Sequence, residues 1–342
     1  MTELSSLNYQ VTPADEQLRI DVLLQRLIPS KSRTEIQEMV SGGLVFINGQ
    51  KPKSSHRVKT GELISAALEQ RHRPETKHLT LSPMNLDIRY EDEELLVVNK
   101  PAGMVVHPGA GTRGPTLVEG VLAHTSILSE DAAHPLRPGV VHRLDADTTG
   151  LLVMAKTRES HVHLARQFQE KTNKRLYIAL LHGVLKEERQ ALETYYQRHP
   201  TQRELFQALS KSEATRAGIE NLEALRIAKT EFSRLRVFGE SFTLAQAALQ
   251  TGRTHQIRVH ASYIGHAVVG DPRYGKPMRQ AVRKELPGAL VESISQIRRQ
   301  LLHAACLGFI HPKSHEWLEF YCAPPEDFAA ILAQLSEHFR LF

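Results

Sequence analysis

The sequence predicts an α+β protein in two parts: a small N-terminal part, and a larger part in which helices flank a mixed, mostly antiparallel central sheet. A chain of 342 residues is too long for one small domain and suits two. In the larger part strand patterns outnumber helical ones, and neighbouring strands form hairpins, as residues 229–237 and 242–249 do around a turn. Such hairpins favour an antiparallel sheet over a doubly wound parallel one.

Two short helices are predicted to open the N-terminal part. An apolar stripe with helical spacing begins at Leu18, and Pro29 ends it. Ser32 is the expected N-cap of the second helix, because Glu35 follows three residues later as in a capping box. Gly42-Gly43 is the expected stop of that helix.

A hairpin and a further strand are predicted to complete this part. A strand leads into Asn48-Gly49, a dipeptide that favours two-residue hairpin turns, and the string LISAAL predicts another strand. We therefore expect a polar tail over residues 1–15 and a folded module over 16–68. Residues 69–80 are polar with one proline and predict a linker, which leaves 81–342 for the large domain.

Basic side chains crowd the start of the second helix and the hairpin turn. They are Lys31, Arg33, Lys51, Lys53, His56, Arg57 and Lys59. A solvated basic face would account for them, but clustered Lys and Arg beside the N–H groups of a helix start also suit RNA phosphates. The net charge of +5 favours an anionic partner without identifying one.

The large domain divides into strands and helices by the period of its apolar residues. Expected strands cover residues 86–90, 95–100, 151–154, 175–185, 229–237, 242–249, 306–310 and 317–321, and expected helices cover 116–124, 159–170, a segment ending near 265, and 325–341. Residues 276–300 predict an insertion with helical character. Residues 185–227 are charged and poorly periodic, so they predict no element.

Cysteine usage and apolar runs indicate a soluble cytoplasmic protein. Cys306 and Cys322 show neither CxxC nor zinc-site spacing, which argues against a disulfide framework and a structural zinc. The N-terminus lacks a signal-peptide pattern, and no long uncharged apolar run occurs. Gly109 to Gly114 read G-x-G-x-x-G, but flanking prolines and the missing βαβ series argue against a dinucleotide site.

The strongest candidate for chemistry is the stretch from Val140 to Lys156. Two apolar runs flank a polar turn there, as where a rigid scaffold presents a reactive loop. Asp145 and Asp147 are too close in sequence to act from opposite sides of a glycosidic bond. Nothing in the sequence completes a metal site or a Ser/His/Asp triad around them. A single Asp near Arg side chains remains, with a turn-capping ion pair as the plain alternative.

Four strings follow one another along the large domain. They are Asn99-Lys100-Pro101-Ala102-Gly103, His142-Arg143-Leu144-Asp145-Ala146-Asp147-Thr148-Thr149-Gly150, Arg175-Leu176-Tyr177 and Thr251-Gly252-Arg253-Thr254-His255-Gln256-Ile257-Arg258. Over about residues 85–325 the chain thereby resembles the RluA/RluD family of pseudouridine synthases. Residues 16–66, with Ser32-Arg33 and a G-x-V-x-I-N-G string, resemble the αL-type S4 RNA-binding domain, which points to the ribosomal RluC/RluD branch.

The resemblance implies the pseudouridine synthase fold, no cofactor, and isomerisation of uridine to pseudouridine in 23S ribosomal RNA. It implies Asp145 as the reacting carboxylate, Tyr177 as the residue that stacks on the base, and Arg258 as the partner of Asp145, with Arg253 as the alternate. A plain core position is the alternative for Tyr177. The expected RNA-binding side chains are Arg143, His142, Arg253, Thr254, His255, Gln256, Lys100, Ser32, Arg33, Lys51 and Lys53.

By this resemblance a uridine leaves the RNA stack and Arg143 fills the space that it vacates. Whether Asp145 attacks C1′ of the ribose or removes the C2′ proton stays open. The strings are most similar to those of enzymes that modify the helix 69 loop of 23S rRNA. An RluC-like specificity and a non-catalytic rRNA-binding assembly factor are the alternatives. The chain departs from the family at Ala146, where relatives often carry Lys, and over the irregular residues 204–226. We expect a monomer.

Overall fold

The computed structural model describes residues 5–28, 33–53, 55–68, 79–109, 112–125, 128–129, 137–202, 204–219 and 221–340. The backbone forms two compact units, Met1–His78 and Leu79–Phe342. The expected cap at Ser32, residues 69–78 of the expected linker and residues 110–111 of the glycine loop lie outside the described residues.

The first unit packs two helices against a small antiparallel sheet. In chain order its elements are β1 (Ser5–Gln10), α1 (Ile20–Leu27), α2 (Arg33–Ser41), β2 (Val45–Ile47) and β3 (Leu63–Leu68). The strands lie in the order β1-β3-β2. Both helices contribute to one apolar core, for example through Leu24 and Ile36, which pack with Val45 and Ile64 of the sheet.

The expected polar tail is wrong for residues 5–15. Strand β1 pairs with β3 along its whole length, from Ser5↔Leu68 to Gln10↔Leu63. Leu7 and Tyr9 alternate with polar residues and pack against the core, so the period of two is present in the sequence. Beyond the strand, Asp15 is buried and accepts hydrogen bonds from the Tyr9 and Thr12 hydroxyls, each at 2.6 Å.

The expected hairpin turn at Asn48-Gly49 is confirmed. Both residues have positive φ, +49° and +78°, as the favoured two-residue turns require. Ile47 and Gln50 exchange both backbone hydrogen bonds across the turn, at 2.8 and 2.9 Å. The turn carries the basic loop that follows it.

The second unit holds the large sheet and its helices. In chain order its elements are β4 (Asp87–Glu91), β5 (Leu95–Lys100), α3 (Leu117–Thr125), β6 (Thr149–Ala155), α4 (Arg158–Glu170), β7 (Lys174–His182), β8 (Arg189–Arg198), β9 (Phe206–Leu209), α5 (Lys211–Arg216), β10 (Arg226–Phe238), β11 (Phe242–Leu249), α6 (Gln256–Tyr263), α7 (Gln280–Glu285), α8 (Gly288–Gln296), β12 (Leu302–Ile310), β13 (Trp317–Tyr321) and α9 (Glu326–His338). The α+β prediction is therefore confirmed.

The large sheet has the strand order β4-β5-β6-β12-β7-β11-β10-β8-β9, with β13 added beside β12. Among its described strands, β6 and β12 pair in parallel and the other pairs are antiparallel. The expected mixed, mostly antiparallel sheet is thus confirmed. The region at 185–227, for which the sequence predicts no element, supplies β8, β9 and α5 at the sheet's end.

Both faces of the central strands are buried, which explains their unbroken apolar runs. On β5 and β6, Leu96 and Leu152 face a core that includes α3 and α6. Their neighbours Leu95 and Leu151 face the opposite core, where Leu164 of α4 packs. Strands covered on both faces carry apolar residues at consecutive positions instead of alternating ones.

The parallel pair brings the polar turn before β6 to the middle of the sheet. Thr149 and Gly150, the first residues of β6, lie beside His303 and Ala304 of β12. Strand β12 in turn sets Ala304 beside Tyr177 of β7. Segments far apart in sequence therefore meet where the turn ends. Among the described residues, no helix is long and apolar enough to cross a membrane.

We expect Gly150→Ala to destabilise the second unit strongly. Gly150 has a φ of +114°, and a Cβ there would overlap the carbonyl oxygen of Ala304, which is backbone and cannot swing away. The free energy of unfolding should fall by at least about 3 kcal/mol. The single tryptophan, Trp317, lies in this unit, so its fluorescence in urea reports the change.

Gly288→Ala is the matched control. Nothing lies within 4 Å of a Cβ at Gly288, which begins α8 without a positive φ. Its urea midpoint should stay level or rise slightly, because alanine reduces the entropy of the unfolded chain. Equal midpoints for the two variants would contradict the close packing of β6 on β12.

Candidate active site

Asp145 lies at the bottom of a pocket of about 560 Å³. The pocket is lined by the turn before β6, the end of α4, the start of β7 and the loop from Leu249 to Arg258. The Thr148 N–H donates to the Asp145 carbonyl at 3.1 Å and closes the turn. The pocket volume falls in the range of ligand pockets. Asp145 contributes the acidic side chain of the pocket lining.

Arg258 joins Asp145 to a second, buried carboxylate. Its Nη1 donates to Asp145 Oδ2 at 2.9 Å, while Nε and Nη2 donate to the two oxygens of Asp271 at 2.7 and 2.8 Å. The side chains of Asp271, Arg258 and Asp145 are 0%, 4% and 18% exposed, so accessibility increases towards the pocket. The expected pairing of Arg258 with Asp145 is observed, and Asp271 was not anticipated.

Asp271 and Arg258 hold each other ionised in spite of burial. Burial alone would lower the pKa of Arg258, but the hydrogen bonds and charge of Asp271, and then Asp145, raise it. Burial alone would raise the pKa of Asp271, but Arg258 outweighs that effect and lowers it. The N–H groups of Arg273 and Tyr274 also donate to Asp271 Oδ1. Arg258 therefore presents a fixed positive charge to Asp145.

Lys100 supports the turn from inside the protein. The side chain is buried, and Nζ donates to the carbonyls of Pro101, Met104 and Ala146, at 2.8, 3.0 and 2.7 Å. Burial lowers its pKa to about 7, opposed by the nearby charges of Asp147 and Asp145. The prediction that Lys100 contacts RNA is therefore corrected, because its side chain is buried and Nζ is fully hydrogen-bonded, to two carbonyls of the loop after β5 and one of the turn.

Gln256 likewise stabilises the loop instead of facing a ligand. Its Oε1 accepts from the Thr251 hydroxyl and the Arg253 N–H, and its Nε2 donates to the Lys229 carbonyl and the Thr230 hydroxyl. The predicted RNA contact is corrected for this residue, since its amide is buried and fully hydrogen-bonded. The same loop places Thr254 at the pocket, where its backbone carbonyl accepts a hydrogen bond from the hydroxyl of the buried Tyr196.

His142 is packed inside the wall of the pocket. Its ring stacks on Phe168 at 4.3 Å between centroids, and Nε2 accepts the Val153 N–H at 3.1 Å. Burial, followed by the charge of Arg175, lowers its pKa to about 3, so the ring is neutral. The ring therefore helps to hold β6, and because the side chain also lines the pocket, its contact with RNA stays a prediction.

Tyr177 lies in the pocket and in the core at once. Its neighbours across the sheet are Ala304 on β12 and Ala247 on β11, whose small side chains leave its ring uncrowded. Burial raises the pKa of its hydroxyl, so Tyr177 is neutral. The placement fits the expected stacking role, because Tyr177 lines the pocket. It also fits the alternative of a core tyrosine, because the same side chain packs in the apolar core.

Cationic side chains outnumber acids among the residues that line the pocket. Arg143, Lys171, Arg175, Arg253 and Arg258 stand against the single carboxylate of Asp145. Arg143 is exposed at the mouth, as expected for a residue that meets RNA. The sequence patterns did not indicate Lys171, and they gave Arg175 no role. In the structure the Arg175 guanidinium lies over the Phe168 ring, 5.3 Å from its centroid. The surplus of positive charge suits an anionic ligand.

The predicted RNA contacts Arg33, Lys51 and Lys53 belong to the first unit. Lys53 is exposed on the loop after the hairpin turn. Lys51 donates to the Ser41 carbonyl at 2.8 Å, so it also caps the end of α2. For Arg33 the backbone of the helix is described and its side chain is not. No group of three or more His, Cys, Asp or Glu in the described part of the chain could hold a metal ion.

Comparisons with known families match both units. Residues 94–263 match the model of RNA pseudouridylate synthase, and residues 18–64 match the S4 domain. The sequence motifs and the two family models therefore indicate the same families, and each model covers most of its unit.

Similar proteins extend over nearly the whole chain. An RNA pseudouridine synthase of Bacillus subtilis, YlyB, is 38% identical and covers 96% of this chain and 98% of its own length. Ribosomal large subunit pseudouridine synthase D of Zymomonas mobilis is 36% identical, covering 95% of this chain and 97% of its own. A solved structure, human RNA pseudouridylate synthase domain containing 1, has a TM-score of 0.52 and 25% identity, with 75% and 96% covered.

We expect Asp271→Asn to destabilise the second unit by about 3 kcal/mol, because it leaves a buried guanidinium with half of its counter-charge. Trp317 fluorescence in urea measures the loss. Glu170→Gln is the control, since the Arg166–Glu170 pair that it breaks is exposed and should leave the midpoint unchanged. Should both variants unfold at the same urea concentration, Asp271 would not be the anchor of Arg258.

Proposed function

This chain belongs to the RNA pseudouridylate synthase family, with an S4 domain in front of the synthase, and from that premise we propose that it isomerises specific uridines of large-subunit ribosomal RNA with Asp145 as the reacting group. The observation that carries the proposal is the ion pair of Asp145 with Arg258 at the base of a cationic pocket. The ribosomal substrate rests on relatives named ribosomal large subunit pseudouridine synthase D.

The pocket can accept a nucleoside only after it has left the RNA stack. Enzymes that act on a base extrude it, which costs unstacking energy and leaves a gap in the strand. Arg143 is exposed beside Asp145 and can fill that gap or hold the flanking phosphate. Tyr177 then offers the flipped uracil a ring to stack on, with Leu144 and Ile257 as apolar walls of the same pocket.

Asp145 is suited to act as an anion. Arg258 Nη1 donates a charge-assisted hydrogen bond to one of its oxygens at 2.9 Å and so orients the carboxylate. The N1–C1′ bond of uridine breaks, either by attack of Asp145 on C1′ or after it removes the C2′ proton. The uracil then turns and a C5–C1′ bond forms; in the first route this displaces Asp145 from C1′, and in the second the proton returns to C2′. C5 loses its proton and N1 gains one. Uridine and pseudouridine are isomers, so the reaction consumes no redox equivalent.

The S4 domain is proposed to contact the ribosomal RNA backbone. Its basic residues surround the hairpin loop, and Lys53 and Lys59 are exposed there. Phosphate contacts of this kind give affinity and register without reading sequence. The helix 69 loop as target is our finer proposal, supported by the strings shared with the branch that modifies it. That the protein works as a cytoplasmic monomer stays a prediction.

A non-catalytic RNA-binding factor is the competing function. A protein that only binds RNA gains nothing from a carboxylate in this cationic pocket, because the charge of Asp145 repels the phosphates of RNA. Nor does it require Arg258 to be held by a second, fully buried carboxylate, an arrangement that costs stability unless every partner is in place. The site geometry therefore favours chemistry over binding.

Asp145→Asn should abolish the reaction while RNA binding persists. Its amide can still contact Arg258 but can neither attack nor accept a proton, so the rate should fall on the order of 10³-fold or more. Tritium release from 23S rRNA and from a helix 69 transcript, both made with 5-tritiated uridine, measures the rate and the proposed target together.

Asp147→Asn serves as the control, because its side chain lies outside the pocket lining, and it should retain most of the activity. Full activity of Asp145→Asn would refute the proposed role. Tritium release by the wild type from 23S rRNA but not from the helix 69 transcript would support the proposed activity and contradict the proposed target. An RluC-like specificity would give that result.

Lys53→Ala combined with Lys59→Ala should weaken RNA binding and leave the turnover rate at saturating RNA unchanged. Each lost phosphate contact lowers the slope of log affinity against log salt by about one. Filter binding across salt concentrations gives the slope. Lys186→Ala with Lys284→Ala removes the same charge from exposed sites of the second unit and should keep the slope. Equal slopes for both double variants would exclude these lysines from the RNA contact.

A further inference from the structure

We propose that His255, held by Tyr274, is a positioning residue that donates a hydrogen bond to the second oxygen of Asp145. The inference rests on the proposed function of Asp145. His255 Nε2 lies 4.0 Å from Asp145 Oδ1, while Arg258 holds Oδ2. The two groups therefore approach the carboxylate at different oxygens. Sequence reasoning predicts His255 as an RNA contact, and the geometry gives it a different task.

The hydrogen-bond pattern around Tyr274 favours the tautomer of His255 in which Nε2 carries the proton. The Phe206 N–H donates to Tyr274 Oη at 3.0 Å, and Oη lies 2.9 Å from His255 Nδ1. With Oη already accepting a bond, the Tyr274 O–H is available to donate to Nδ1. Nδ1 is then the acceptor of the ring, and Nε2 carries the hydrogen.

The opposite tautomer is unfavourable at both ends of the ring. A proton on Nδ1 would donate to Oη and take away the acceptor of the Tyr274 O–H. It would also turn the lone pair of Nε2 towards the carboxylate of Asp145. Burial lowers the pKa of His255, which is consistent with a neutral ring at pH 7. The chain from Phe206 through Tyr274 thus aims an Nε2–H at Asp145.

The backbone of His255 supports a role that depends on position. Its φ is +60° at the N-cap of α6, in the left-handed region that costs a non-glycine residue of order 1 kcal/mol. Its side chain makes no capping bond to the helix and points instead to Tyr274 and Asp145. Tyr274 is itself fixed, because Arg258 lies over its ring at 5.2 Å and Asp271 accepts its N–H.

The second donor would fix the rotation of the Asp145 carboxylate. Arg258 holds Oδ2 by a single hydrogen bond, which still allows the planar carboxylate to rock about its Cβ–Cγ bond. Catalytic hydrogen bonds are often long in the free enzyme and shorten in the substrate complex. A donor from His255 at that stage would oppose this motion from the other oxygen and leave one lone pair on each oxygen for the ribose.

The test uses His255→Asn, Tyr274→Phe and the double variant in the full-length protein. Asparagine tolerates positive φ but is too short to reach Asp145, and phenylalanine keeps the ring under Arg258 while removing the hydroxyl. We expect kcat for tritium release to fall about 10- to 100-fold in each single variant, with KM unchanged. The double variant should be no slower than His255→Asn, because Tyr274 acts through His255.

Tyr263→Phe is the control, since it loses a hydroxyl bond to Glu213 at an exposed site near the end of the same helix and should match wild type. Wild-type kcat in both single variants would overturn the proposal, as would losses that multiply in the double variant. A raised KM at unchanged kcat would overturn it too and return His255 to RNA binding. Activity of Asp145→Asn would instead refute the proposed function.

Discussion

The structure depends on one buried guanidinium. Arg258 is almost inaccessible and is stable there only because two carboxylates and an aromatic ring surround it. Taking such a charge from water costs several kcal/mol, which is recovered only with good geometry on every partner. Asp145 is 113 residues away and Asp271 is 13 residues away, so the sheet must bring the turn before β6 under α6. An error of one residue in the register of β6 on β12 would break this arrangement.

The turn that carries Asp145 is fixed one residue at a time by side chains from elsewhere in the second unit. The contacts run Lys100 Nζ to the Ala146 carbonyl, Arg299 Nη1 to the Asp147 carbonyl, Gln300 Nε2 to the Thr148 hydroxyl, and His303 Nδ1 to the Thr149 hydroxyl. Arg299 is held in turn by Asp327 of α9. The turn needs these contacts because it follows a loop, where few bonds would otherwise fix its direction. Two of the contacts are to backbone carbonyls, so the side chain at Ala146 can vary without changing how the turn is held.

Local pattern predicted most helices and hairpins, because period and turn chemistry are properties of neighbours in sequence. The Asn48-Gly49 turn and the strand pair around Phe238 follow from a few residues each. What local pattern missed comes from distant partners. The parallel pairing of β6 with β12 has no signal in either strand, and no local pattern distinguishes Asp271 as the second partner of Arg258. Strand β1 was mistaken for a tail since its apolar residues are few. Lys100 and Gln256 carry polar groups that RNA could bind, and only their burial and full hydrogen bonding show that the protein uses them internally.

The charges of the site are ordered by depth, and that order explains why Asp145 is accessible from the pocket while Asp271 is enclosed. Asp271 is enclosed and accepts two hydrogen bonds, from Nε and Nη2 of Arg258, so its carboxylate cannot reach a ligand in the pocket. Asp145 receives a single arm and opens to the pocket. Two carboxylates against one guanidinium leave a net negative charge at the base, which by itself would repel RNA. The rim side chains Arg143, Lys171, Arg175 and Arg253 offset that charge. The anionic RNA backbone can therefore lie at the mouth of the pocket while the flipped nucleoside reaches the carboxylate of Asp145 below. If the enclosed aspartate were the one facing the pocket, Arg258 would lose its buried anchor.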